Sequence, residues 1–164
     1  MDETIDRLET AARDLVALGP EIEAGEPWPL SAAYGEEPEA DWGPKELLAH
    51  VAEMVPYWMA QIESVLAADP ASEPVPFGRV ATDEARIARI GADREQATSA
   101  LLAKIDAGVA AATARLRSLD ASQRSRSGVH PRRGELPVEA MVALFLADHL
   151  ADHVAQLRGI LARR

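Results

Sequence analysis

Four histidines and no cysteine set the metal and nucleophile chemistry open to this chain. Two of them, His149 and His153, sit four residues apart. Residues at that spacing share one helix face, with Cβ atoms about 5–6 Å apart, so both imidazoles can reach one metal ion. They continue the apolar stripe Val138, Met141/Val142, Phe145, Leu157 and Ile160 of the last predicted helix, which places them toward the interior. Taken alone, the pair also fits two hydrogen-bonded core histidines. His50 shifts that balance. It lies two turns into the second predicted helix, with Leu47, Met54 and Tyr57 as helical neighbours, and borders that helix's buried stripe. Burying three imidazoles without a shared purpose costs desolvation for each. One divalent cation would satisfy all three and leave part of its coordination sphere open, as reactive sites do.

Other side chains are candidates for supporting roles, each with a plain structural alternative. Glu53, three residues after His50, could serve as a general base, accept from His50, or simply be solvated. Asp148 and Asp152 each precede a candidate ligand and could accept a histidine N–H or pair with basic residues elsewhere. Tyr57 and Trp58 stand beside Pro56, where they could line a pocket or fill the core. His130 stands with Arg132 and Arg133 in a basic stretch that also holds Arg124 and Arg126. This stretch could draw an anionic cosubstrate or be a solvated loop. His130 is not counted among the ligands.

Four helical segments must position these residues. The first runs from about Asp2 to Leu18 and ends at Gly19-Pro20; a long connection rich in Gly and Pro fills 24–43. Gly43 as N-cap, Pro44 in the first turn and Glu46 beside the positive dipole end start the second helix, which Asp69-Pro70 stops. Pro56 predicts a kink near 52–55. Thr82 or Asp83 caps a third helix reaching about Leu119, a polar stretch covers 120–136, and the fourth helix opens at Pro137. No strand-like alternation of useful length appears, so the expected fold is all-α, a four-helix bundle forming one domain over 1–164.

Composition narrows the classes. The 164 residues include 17 Lys+Arg and 27 Asp+Glu, a formal net charge of −10. Residues 1–84 are net −15 and 85–164 net +5, which suits acidic helices packed beside basic ones. An acidic chain is a poor general partner for nucleic acid. The start Met1-Asp2-Glu3-Thr4 has no secretory character. The longest apolar run, Ala140–Ala147, is far short of the ~18 residues that span a bilayer. A cytoplasmic protein without membrane partners is expected.

Two segments carry a resemblance. Trp42-Gly43-Pro44-Lys45-Glu46-Leu47-Leu48-Ala49-His50 resembles the start of the second helix in the DinB-like family. Phe145-Leu146-Ala147-Asp148-His149-Leu150-Ala151-Asp152-His153-Val154-Ala155-Gln156-Leu157 resembles that family's closing His-x-x-x-His-x-x-Gln segment. The family includes YfiT-like metal-dependent hydrolases and the metal-binding domain of mycothiol-dependent maleylpyruvate isomerase. The resemblance implies a four-helix bundle with long connecting loops, often a homodimer. It would hold zinc or nickel on His50, His149 and His153 in a pocket open to solvent. A low-molecular-weight thiol is the implied cosubstrate, its anionic groups met by Arg132 and Arg133. With Glu53 and Tyr57 as candidate catalytic groups, the expectation is a metal-dependent S-transferase or hydrolase acting on a small electrophile. Thiol-dependent isomerases of the group can have Glu where this chain has His149, which weakens that assignment. Two readings stand beside it: a non-catalytic metal- or ligand-binding bundle of stress response, and a dimeric bundle in which the histidines are only a polar core patch.

Overall fold

The computed structural model describes residues 1–34, 39–69 and 71–163. Eight α-helices, one π-helical segment and three short strands occupy them. The α-helices are α1 (Asp2–Ala17), α2 (Gly19–Ala24), α3 (Pro44–Ala67), α4 (Glu84–Asp93), α5 (Thr98–Arg117), α6 (Ala121–Arg124), α7 (Val138–Val142) and α8 (His149–Leu161). The strands are β1 (Val75–Pro76), β2 (Ser127–His130) and β3 (Gly134–Pro137). A π-helical segment, Ala143–Asp148, joins α7 to α8 without a break. Four long elements form the bundle: α1, α3, α5 and the composite last helix. Ile5, Leu8, Leu15, Leu48, Met54, Leu101, Leu116 and Leu157 lie fully buried between them.

The start of α3 follows local rules. Gly43 adopts the extended N-cap conformation, Pro44 fills the first turn, and the Glu46 carboxylate accepts the Gly43 N–H at 3.2 Å. Glu46 also accepts from Ser31 N–H (3.0 Å) and the Arg94 guanidinium (3.1 Å), although it is fully buried. The helix continues through Pro56.

Two expectations need correction. The predicted third helix is interrupted at 94–97 into α4 and α5, because tertiary bonds hold the break: Lys45 donates to the Gln96 carbonyl and Arg94 reaches Glu46. Gly19-Pro20 interrupts the helix as expected, and the pair starts the short α2, with proline in its first turn. The polar stretch 120–136 holds α6 and part of a small sheet in the order β1-β2-β3, with β1 parallel and β3 antiparallel to β2. Strands of two to four residues are too short to show an alternating pattern. Gly134, at φ +73°, closes the β2–β3 hairpin opposite His130. Gly128 lets β1 approach: a Cβ there would stand 2.8 Å from Val65 Cγ2 and 2.9 Å from Phe77 Cδ1.

No helix among the described residues is long and apolar enough to cross a membrane.

Candidate metal centre

His50 projects from α3, and His149 and His153 from successive turns of α8. The π-helical segment ends directly before His149. Its wider turns follow i→i+5 rather than i→i+4 bonding, and Phe145, Leu146 and Ala147 are all buried there. This segment sets the rotational phase at which the two histidines leave the helix.

The three rings converge. Their centroids lie 5.1 Å (His50–His149), 5.0 Å (His50–His153) and 4.7 Å (His149–His153) apart. One ring nitrogen from each lies within 4.8 Å of the others. His50 Nε2 and His149 Nε2 are 3.2 Å apart; two nitrogens each 2.0–2.1 Å from a tetrahedral zinc stand about 3.3 Å apart. His153 Nδ1 meets Gln156 Oε1 at 3.2 Å, and Gln156 Nε2 donates to the Glu39 carbonyl. A carbonyl oxygen can only accept, so the His153 proton sits on Nδ1 and its Nε2 is left with a free lone pair. That Nε2 is buried with no hydrogen-bond partner; His50 Nδ1, the ring nitrogen other than the one that meets His149, is unpartnered as well and would not reach the same ion. Orphaned buried nitrogens are costly and rare, and a borderline-soft divalent cation is the ligand that imidazole nitrogens satisfy. The donor set therefore fits such an ion.

Electrostatics keep the lone pairs available. Burial, then the charges of His153, Arg86 and His149, hold His50 well below the usual imidazole range. Burial, followed by His153, Arg86 and Arg133, takes His149 down to about 3. Burial also lowers His153, opposed in part by its bond to Gln156 and by the Glu39 carboxylate. All three are neutral at pH 7.

A cavity of about 700 Å³ opens from His50 and His149. Its apolar wall is aromatic: Trp58 and Phe145 stack at 4.1 Å with an interplanar angle of 13°. Four arginines line it: Arg79, Arg86, Arg132 and Arg133. Arg79 is paired with Glu53 at 2.5 Å and lies 3.6 Å over the Tyr57 ring. Arg86, only 4% exposed, is paired with Glu39, donates to the Ala81 carbonyl at 3.0 Å, and stands 5.2 Å over Trp42. Trp42 in turn meets His50 edge-on at 5.4 Å. Among the described residues, Arg132 and Arg133 have no carboxylate partner.

The expected site residues thus fall into groups. His50, His149 and His153 come together, and Arg132 and Arg133 lie on the cavity wall. Glu53 and Tyr57 flank Arg79 behind that wall. Asp148 pairs with Arg7 of α1, while Asp152 lines the cavity; neither accepts a histidine N–H. His130 is not in a solvated loop but 6% exposed at the end of β2. Sequence reasoning missed Arg79, Arg86 and Glu39. The one signal for Arg86 is its phase: Arg86, Ile90 and Asp93 form the buried face of α4.

Residues 2–157 match the family model described as the DinB superfamily. A comparison with curated proteins finds no match. Among solved structures, the chain is similar to YfiT from Bacillus subtilis, described as a probable metal-dependent hydrolase with an unusual four-helix bundle topology. The two share 21% identity and a TM-score of 0.71, over 99% of this chain and 86% of that one.

Proposed function

Because the chain belongs to the DinB superfamily, and its three neutral imidazoles converge beside an open cavity, we propose that it is a metal-dependent enzyme. Its reaction is hydrolysis or thiol transfer on a small anionic or anion-carrying molecule. The convergence of His50, His149 and His153, with His153 Nε2 buried and unpartnered, is the observation that carries this reading.

His50, His149 and His153 would hold zinc or nickel. Such an ion lowers the pKa of a water or a low-molecular-weight thiol and so supplies a nucleophile at neutral pH. The chain's own residues do the rest. Gln156 orients His153 through its Nδ1–H. The Trp58–Phe145 pair gives the substrate a dry, flat surface. Arg132 and Arg133 receive carboxylates of the thiol or substrate. Glu53 and Tyr57 hold Arg79 in place rather than meeting substrate. Glu39 and Asp152 are the carboxylates on the wall, and so the groups placed to take up a proton.

Metal analysis of protein purified without a histidine tag tests the reading. About one ion per chain is expected, and His149→Ala should lose it. A metal-free wild type that gains no thermal stability from zinc or nickel would remove the basis for the proposal. Cobalt-loaded protein tests for an open coordination position: N-acetylcysteine should produce a sulfur-to-cobalt charge-transfer band if that position accepts a thiolate.

A further inference from the structure

The fourth histidine has no part in the metal cluster, yet it is buried at the centre of the arginine-bearing wall. His130 is the last residue of β2. Its ring is stacked 5.1 Å from Phe145 and lies edge-on 5.5 Å from Phe77. The Arg132 backbone N–H donates to His130 Nδ1 at 3.2 Å. Only an unprotonated nitrogen can accept, so the ring proton resides on Nε2. The backbone of the Gly78–Arg79 segment packs on the other side of the ring. Its Nε2 edge is pressed against that segment: a Cβ built on Gly78 would stand 2.6 Å from His130 Cδ2 and 3.1 Å from Nε2. Gly78 itself has φ +82°, so a side chain is refused there by both conformation and space.

The two backbone segments joined in this way are the ones that bring arginines to the cavity. One carries Arg79; the other is the hairpin turn carrying Arg132 and Arg133. Nδ1 is committed to the Arg132 N–H, and the Nε2 edge is packed on the Gly78 backbone. Burial and the neighbouring Arg133 favour the neutral form of the imidazole, the form that accepting this N–H requires.

We propose that His130 is a positioning residue of the anion-accepting wall: its imidazole packs on the Gly78–Arg79 backbone and accepts the Arg132 N–H, holding the two segments at a fixed separation. It thereby fixes where the arginines stand at the cavity. The β1–β2 pairing brings the segments together, and the imidazole sets their separation at the cavity rim. This role rests on the reading of the cavity as an anion-accepting metal site.

The test uses zinc-loaded, full-length protein and succinate, a dianion that chelates zinc weakly. His130→Phe keeps an aromatic ring in the stack but has neither hydrogen-bonding atom. It should retain zinc stoichiometry and bind succinate at least fivefold more weakly than wild type. His130→Asn restores an acceptor for the Arg132 N–H and should recover part of the affinity, which a purely space-filling role for the ring would not predict. Wild-type succinate affinity in His130→Phe overturns the proposal. A double Arg132→Ala/Arg133→Ala variant with wild-type affinity would instead overturn the anion-accepting reading beneath it. Should His130→Phe fail to fold, Gly78→Ala serves in its place, since the added Cβ displaces the ring; unchanged succinate binding there counts equally against the proposal.

Discussion

Replacing Gln156 with methionine isolates the role of one hydrogen-bonding side chain at the metal centre. The two side chains are similar in length and volume, so packing around α8 is kept and only the amide is lost. In the native protein that amide accepts the His153 Nδ1–H and donates to the Glu39 carbonyl. His153 is 4% exposed, so water cannot readily replace the lost acceptor. An orphaned buried donor costs about 1–3 kcal/mol, and that cost falls on the metal-free protein. A second effect falls on binding. Without Gln156 the His153 ring is free to place its proton on Nε2 or to rotate, and either removes a ligand lone pair. Loss of such an orienting partner lowers metal affinity by about 10–100-fold, equivalent to about 1.4–2.7 kcal/mol. Competition of the apo variant against a chromophoric zinc chelator measures the second effect, and urea unfolding of the apo protein the first. Zinc affinity within twofold of wild type, in a variant that folds, would refute the assignment of His153 Nε2 as a ligand held in place through Gln156.

Metal-free protein should lose stability as pH falls below 6.5. The lowered imidazoles resist protonation when folded but accept protons when unfolded, so their penalty is absent above the unfolded value and grows as pH drops toward 3. For His149, with a folded value of about 3, it amounts to about 2 kcal/mol at pH 5. Urea denaturation at pH 7 and 5 should show a smaller acid loss in His149→Phe than in wild type. Gly128→Ala should destabilise the fold by about 1–3 kcal/mol through overpacking against Val65 and Phe77, and a melting temperature unchanged from wild type would contradict that crowding. Glu46→Ala should cost about 3–5 kcal/mol, because it strands the Arg94 charge and two backbone N–H groups; chemical denaturation that gives less than 1 kcal/mol would show that water takes over the carboxylate's role.

The parts of the molecule fixed by local chemistry were legible in the sequence. Gly43-Pro44 with Glu46 marked the start of α3, and the four-residue spacing of His149 and His153 marked a shared helix face. The convergence of His50 with that pair needed only the expectation that buried imidazoles seek a common partner. What escaped depends on contacts between distant segments. The break at 94–97 is held by Lys45 and Glu46, some fifty residues earlier. The strands exist because β1 and the β2–β3 hairpin meet, and none is long enough to declare itself. Arg86 gives little sign of burial in the sequence, because its stripe mates are one isoleucine and another charged group, Asp93. Glu39 lies in an irregular connection, where spacing carries no information about direction.

The π-helical turn ahead of His149 has a consequence for how this protein tolerates length changes. One end of the composite helix is tied to the sheet, where the Val138 N–H donates to the Arg126 carbonyl at 2.8 Å; the other carries imidazoles that must face α3. Returning 143–148 to ordinary α-helix at unchanged length would advance each residue by about 100°, where the wider π turns advance it by less. Everything beyond it would then swivel by about 100° about the helix axis, and His149 and His153 would turn away from His50. Deleting one residue of 143–148 as the turns tighten would cancel that rotation, so a one-residue deletion is tolerated here and nowhere else along the composite helix.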